Sequence, residues 1–287
     1  MSLRKCFNEP LNYNITMKQL TLLFLLALMP IVASADDSGK CGDKLTWTYS
    51  SDSQTLTISG TGEMYNYNYS SEVPWYKYRE SITIVVIENG VTSIGDYAFS
   101  GCISITSIYI NSNTIISKNY TSSNSLSNIF GSQVKEYIIG DNVTRIGDYA
   151  FSGCRGLTSV EIPNSVTSIN RYPFYGCNRL SKVKINCKNI GNWFSKLSSI
   201  KEVILGEDVI SIGESAFESC AGLTSIKIPS SVTSIGESAF DGCVNLKSVI
   251  LQDGGSTLYF KGVNDAYTHE PFYNCPSIES LYMGRKK

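Results

Sequence analysis

The chain has 287 residues, a formal net charge of −1 and 42% hydrophobic residues. That balance excludes the basic field that nucleic acid or an anionic lipid surface calls for, and the apolar content excludes a disordered chain. One histidine in the whole sequence argues against a histidine metal cluster and against a Ser-His triad.

In chain order, the first element is an address. Met17-Lys18-Gln19 precedes the apolar run Leu20 to Val32, broken by Thr21 and Pro30, and Ala33-Ser34-Ala35 comes next. A positive start, an apolar stretch and a small-x-small site make residues 17–35 a secretory signal, with cleavage after Ala35 leaving a mature chain from Asp36. Residues 1–16 then read as an over-extended start. The run is too short and wrongly flanked for a spanning helix, and an uncleaved N-terminal anchor is the alternative. Cys41 lacks the small apolar run that a lipoprotein signal places before its cysteine. The expected destination is outside the cell, secreted or at the surface, with no membrane span after cleavage.

Residues 36–80 differ in pattern from the rest of the chain. Leu45-Thr-Trp47-Thr-Tyr49 and Thr55-Leu-Thr-Ile58-Ser alternate apolar and polar, with Ser50 to Ser53 between them, which predicts a β-hairpin. Tyr65, Tyr67 and Tyr69, with Trp75, Tyr76 and Tyr78 close behind, make the densest aromatic stretch. Alternation in a strand would put Tyr65, Tyr67 and Tyr69 on one face, where they either form a binding surface or cover the core. Trp75 and Tyr76 are expected to seal the end of the core.

From residue 81 to 287 the sequence repeats itself. Val143-Thr-Arg-Ile146-Gly147-Asp-Tyr-Ala150-Phe151 opens a phrase that recurs at Val209-Ile-Ser-Ile212-Gly213-Glu-Ser-Ala216-Phe217, with weaker copies at Val91, Val166 and Val232. The steps from Val143 to Val166 and from Val209 to Val232 are both 23 residues. A fixed period in this range with Leu and Ile at set offsets signals a leucine-rich-repeat solenoid, here of about eight coils. The fold class is α/β but β-dominated: one parallel strand per coil from the Leu-x-x-Val-x-Ile segment, a second short strand from Val-Thr-Ser-Ile, and a compact turn at Ala-Phe-x-Gly-Cys. The hairpin at residues 36–80 caps the open end.

Two coils are degenerate. Asn111 to Ser132 is rich in Ser and Asn and keeps Ile129-Phe130, and Ile190 to Leu205 is shortened. A polar insertion, Gln252 to Glu270, precedes the last coil, and the charge of Arg285-Lys286-Lys287 is expected either to keep an edge strand from pairing or to mark a truncated gene product.

Several columns of residues recur. Gly95, Gly147, Gly213 and Gly236, with Asn170 in the same place, predict a left-handed corner after the short strand. Phe99, Phe151, Phe174, Phe217, Phe240 and Phe272 predict a stacked core column. Cys102, Cys154, Cys177, Cys220, Cys243 and Cys275 lie three residues after these phenylalanines. Leu197 takes that place in the shortened coil, so the site wants apolar volume, and a ladder of free buried thiols is expected over disulfides. Asp96, Asp148, Glu214 and Glu237 share one coil position and read as a solvated face.

In each main strand the residue before the final Ile is expected to point outward. The resulting column is Val86, Tyr109, Ile138, Glu161, Lys184, Ile204, Lys227, Ile250 and Tyr282. At about 4.8 Å per strand it runs roughly 40 Å. Val86, Tyr109 and Ile138 are its apolar cluster, near the tyrosine-rich cap. With Tyr65, Tyr67 and Tyr69 they are the candidate ligand-binding residues.

The coil phrase Val-Thr-Ser-Ile-Gly-x-x-Ala-Phe-x-Gly-Cys-x-x-Leu-x-x-Ile-x-Ile resembles the BspA-like leucine-rich repeats. The opening from Cys41-Gly through Trp47 and Gly60-Thr-Gly62 to Pro74-Trp75-Tyr76 is similar to the cap that precedes such repeats. The resemblance implies an exported or surface protein of a host-associated microbe that binds protein or glycan ligands, host extracellular matrix among the candidates. It implies adhesion and no catalysis, cofactor or metal. The alternative is a scaffold of the producing cell's own envelope. A glycosidase needs two carboxylates across a cleft, and nothing in the sequence marks such a pair.

Overall fold

The computed structural model describes residues 35–254, 257–260 and 269–284. The signal at 17–35 (Ala35 apart), the over-extended start at 1–16, much of the insertion Gln252 to Glu270 and the Arg285-Lys286-Lys287 end lie outside the described residues.

The cap comes first. β1 (Asp37–Lys40) pairs antiparallel with β2 (Leu45–Ser50), and β2 pairs antiparallel with β3 (Thr55–Gly60). β2 and β3 are the expected hairpin. β1 has no strand pattern in its Asp-Ser-Gly-Lys sequence, so its pairing to β2 and not its own propensity makes it a strand. β4 (Gly62–Glu63) comes after it.

Each coil then adds a strand to a main wall and, in most cases, a shorter one to a second wall. In order these are β5 (Ile84–Ile87) and β6 (Val91–Ser93), β7 (Ser107–Ile110), β8 (Glu136–Ile139) and β9 (Arg145–Ile146), and β10 (Ser159–Ile162) and β11 (Ser168–Ile169). They continue with β12 (Lys182–Ile185) and β13 (Asn189–Ile190), β14 (Glu202–Leu205) and β15 (Ser211–Ile212), β16 (Ser225–Ile228) and β17 (Ser234–Ile235), β18 (Ser248–Leu251) and β19 (Tyr259–Phe260), and β20 (Ser280–Met283). The main wall is a sheet ordered β1-β2-β3-β5-β7-β8-β10-β12-β14, succeeded by β16-β18-β20. β3 runs parallel to β5 with Ile58 opposite Ile87, so the cap continues the solenoid sheet.

The strand pattern explains the core. Ile108 and Ile110, Val160 and Ile162, and Ile226 and Ile228 are buried, while the residues between them face away. The phenylalanines stack behind the turns. From Phe151 through Phe174, Phe194, Phe217 and Phe240 to Phe272 the ring centroids lie 5.1 to 5.6 Å apart and the planes are within 13° of parallel. At the other end Trp47, Trp75, Phe99 and Phe130 continue the aromatic column, with Trp75 fully buried and its Nε1 donating to the Ala98 carbonyl at 2.9 Å. The cap therefore seals the core through Trp75, while Tyr76 stays partly exposed under the Arg79 guanidinium.

The degenerate coil after β7 departs from the repeat. α1 (Asn113–Ser117) stands where a second-wall strand would be, and α2 (Leu126–Phe130) carries Phe130 into the aromatic column. The Ser/Asn composition supplies the caps: the Ser112 hydroxyl accepts from the Ile115 amide, and Ser125 and Asn128 form a capping box.

The expected left-handed corner after the short strand is overturned. Gly95, Gly147, Gly213, Gly236 and Asn170 do not lie in the left-handed region. The glycines are needed because a Cβ would meet the backbone of the preceding coil: the Tyr65 carbonyl oxygen for Gly95, that of Lys118 for Gly147, and that of Ile190 at 2.6 Å for Gly213. The left-handed corners come later in the turn. They fall at Tyr97, Tyr149, Tyr172, Ser215 and Ser238, with φ of 50 to 59°, and at Gly101, Gly153, Gly176 and Gly242 just before the cysteines.

Candidate functional site

The outward column of the main wall has unequal parts. Tyr109 and Ile138 sit side by side in the ladder and are half-buried. Burial, and then the carboxylates of Glu88 and Asp141, raise the Tyr109 hydroxyl pKa. Next come Glu161 and Lys184, ion-paired at 2.6 Å, with the Asn186 amide donating to the same Glu161 oxygen at 3.1 Å. Lys182 and Glu202 pair beside them at 2.9 Å. Ile204 and Ile250 are half-buried, and Lys227 and Tyr282 are exposed.

Val86 is not part of an exposed surface. It is 2% exposed. Because the cap extends the sheet, Thr57 and Tyr109 flank it in register on both sides and leave its short side chain little surface.

The cap tyrosines also divide. Tyr65 and Tyr69 are exposed, with the Tyr65 hydroxyl donating to Asp43 at 2.9 Å. Tyr67 is buried and packs edge-on against Trp75 at 6.4 Å. The three do not share a face, because residues 64–69 are not a strand and the alternation rule has no purchase there.

Exposed tyrosines outside the expected site lie on the turn edge. Tyr97, Tyr172 and Tyr175 are more than half exposed. Tyr149 packs against Tyr172 at 5.5 Å and Tyr175 at 6.4 Å. The repeat does carry a signal for them: Tyr97, Tyr149 and Tyr172 each stand two residues before the coil phenylalanine, where later coils carry Ser215 and Ser238.

The cysteines form the expected thiol ladder. The eight described cysteines are all free, and all but Cys275 are buried. Four of these thiols have partners that the sequence does not reveal: Cys177, Cys220, Cys243 and Cys275 donate to the carbonyl of the preceding coil's phenylalanine at 3.1 to 3.3 Å. Burial pushes the thiols of Cys102, Cys154 and Cys243 up to about 12, so thiolate chemistry is suppressed there.

Stacked parallel strands, one per coil, around a column of phenylalanines define a leucine-rich-repeat solenoid. The model for the BspA type leucine rich repeat region matches residues 74–131, 127–247 and 210–286 in six copies, and the chain belongs to that family. Among solved structures, a leucine-rich repeat protein from Eubacterium ventriosum is 21% identical, covering 86% of this chain and 84% of that one with a TM-score of 0.38. The leucine rich repeat protein of T. pallidum is 22% identical, covering 74% and 81% with a TM-score of 0.39. A search of curated proteins finds no match. The family suggests a protein-interaction role; its members are typically non-catalytic and secreted or at the cell surface. Among the described residues no helix is long and apolar enough to cross a membrane.

Proposed function

We propose that the protein is exported and non-catalytic, and that it binds host or microbial macromolecules through the outer face of its main sheet. The observation that carries this reading is the adjacent pair Tyr109 and Ile138. They form an apolar, aromatic step beside strand positions filled by Ser107, Glu136, Ser159, Glu161 and Lys184. Interface hot spots have this composition, an aromatic anchor with a polar rim. Val86 and Tyr67, being buried, serve the fold; Tyr65 and Tyr69 remain available at the cap.

The test is binding of residues 36–287 to immobilised host matrix proteins and glycans, against envelope fractions of the producing cell. Saturable matrix binding that is lost in the Tyr109→Glu/Ile138→Glu double variant, with its circular dichroism unchanged, supports adhesion through this face. Binding to the envelope alone favours a scaffold role, and undiminished matrix binding by the variant moves the site elsewhere.

A further inference from the structure

On the turn side of the coils, backbone joins backbone. The amides of Tyr149, Phe151 and Gly153 donate to the carbonyls of Arg171, Pro173 and Tyr175 in the next coil, at 2.8 to 3.0 Å. Ser215, Phe217 and Ser219 donate in the same way to Glu237, Ala239 and Asp241, and Ser238, Phe240 and Gly242 to His269, Pro271 and Tyr273. Three amides on alternate residues thus meet three carbonyls on alternate residues.

The first coil breaks this rule. Among the described residues, the amides of Tyr97, Phe99 and Gly101 donate no hydrogen bond. The next coil has its helices α1 and α2 there, and it pairs forward, Tyr120 to Asp148 and Leu126 to Ala150, but not back. The amides of Tyr172, Phe174 and Gly176, beside the shortened coil of Phe194, are likewise unpartnered. In front of the Phe99 row lies a cavity of about 710 Å³. Its walls are apolar at Ile94, Phe99, Ile129 and Phe130 and polar at Asn124 and Gln133. Phe99 is buried while Tyr97 and Gly101 are exposed, so the row of donors borders the groove and is open to an acceptor.

We propose that this groove docks a peptide held in the same turn conformation as the coil segments at the closed junctions, whose carbonyls, on alternate residues, accept from the amides of Tyr97, Phe99 and Gly101. The molecule itself shows the chemistry of the occupant. At the closed junctions the accepting segments are Arg171-Tyr-Pro173-Phe-Tyr175, Glu237-Ser-Ala239-Phe-Asp241 and His269-Glu-Pro271-Phe-Tyr273. The central position gives only its carbonyl, so proline fits there, and an apolar residue comes after it. A peptide with a Pro-Phe or Ala-Phe step, turned as these segments are with the preceding residue left-handed (φ 51° at Tyr172 and 50° at Ser238), reproduces that edge. Its apolar side chain rests on Ile129 and Ile94, since Phe130 already occupies the core position beside Phe99 at 4.7 Å. This continues the turn-to-turn ladder by one rung, with main-chain bonds giving affinity and the apolar wall giving selectivity. It does not depend on the sheet face proposed above.

Amide hydrogen exchange on residues 36–287 tests it, with a synthetic peptide of sequence Asn-Arg-Tyr-Pro-Phe-Tyr-Gly, copied from residues 170–176. In the free protein Tyr97, Phe99 and Gly101 should exchange at least about tenfold faster than Tyr149, Phe151 and Gly153. Saturating peptide should slow the first three by about tenfold or more and leave the second three unchanged. Ser100→Trp, which places a bulky ring at an exposed position of the groove wall, should abolish that protection, while Tyr109→Glu/Ile138→Glu should keep it. Fast exchange persisting at millimolar peptide overturns the proposal, as does protection that survives Ser100→Trp. Protection by oligosaccharides but not by the peptide overturns it in favour of a glycan ligand.

Discussion

The coils from Phe151 onward and the coil from Asn111 to Ser132 fill the same core by different means. In the junction of Phe217 with Phe240 the rings stack 5.3 Å apart at 13°, three amides bond to the next coil, and the Cys243 thiol bonds to the Phe217 carbonyl. In the irregular coil Phe130 meets Phe99 at 50°, the Gln133 side chain takes the Phe130 carbonyl at 3.2 Å, and the Cys154 thiol turns to the Tyr137 hydroxyl at 3.8 Å. Toward the next coil, the hydroxyls of Ser125 and Ser127 both reach the Ser152 carbonyl. Core filling thus tolerates a change of repeat, whereas the backbone ladder between turns does not.

The largest expected effect is in the stack. Phe151→Ala removes a ring held between Phe174 and Tyr137 and should cost about 3–5 kcal/mol, spreading to both neighbouring coils. Phe130→Ala should cost less, about 2–3 kcal/mol, because the adjoining groove lets the wall relax. Urea unfolding of the two variants measures both, and equal losses would break the comparison.

Glycine substitutions come next. Gly147→Ala drives a methyl group into the Lys118 carbonyl of the irregular coil, and we expect a loss of about 2–3 kcal/mol from overpacking against backbone. Gly153→Ala meets the Ser127 hydroxyl at 3.1 Å, a contact a small shift can relieve, and otherwise carries the cost of its left-handed φ of 70°, about 1–2 kcal/mol. A reversed order would show that backbone conformation and not coil-to-coil approach selects the first glycine.

The thiol ladder makes stability depend on alkaline pH. Burial raises Cys154 from 9.0 to about 12, so the folded state holds the proton more tightly than the unfolded chain. Its contribution is full below pH 9 and is lost as pH rises from about 9 to 12, at up to about 1.4 kcal/mol per pH unit for each such thiol. Denaturation midpoints at pH 8 and pH 10.5 should therefore diverge, and thiol reagents should label the buried ladder only after unfolding. Rapid labelling of the native protein at pH 8 would contradict the ladder.

The smallest effect sharpens the account of the corner. Ser215 sits at φ 50° in a regular turn, and Ser215→Gly removes that strain at the cost of chain entropy, for a net change of about 0–1 kcal/mol toward stability. A loss larger than about 1 kcal/mol would mean that the serine hydroxyl, and not the backbone, sets the turn.

Periodicity by itself determined most of this architecture. A 23-residue step with Leu, Val and Ile at fixed offsets can bury those residues only by stacking coil on coil, so the main strands, the Phe column, the cap hairpin and the buried cysteines were all legible in the text of the repeat. Four matters depended on neighbours in space, which no single coil records. Val86 is covered because the cap continues the sheet on its far side; Tyr67 turns inward because its segment leaves the strand geometry that alternation assumes. The glycines after the short strands answer to a carbonyl one coil away, not to their own φ. The open amides of Tyr97, Phe99 and Gly101 belong to this group as well: a repeat phrase specifies a donor row, but only the shape of the next coil decides whether an acceptor stands opposite it.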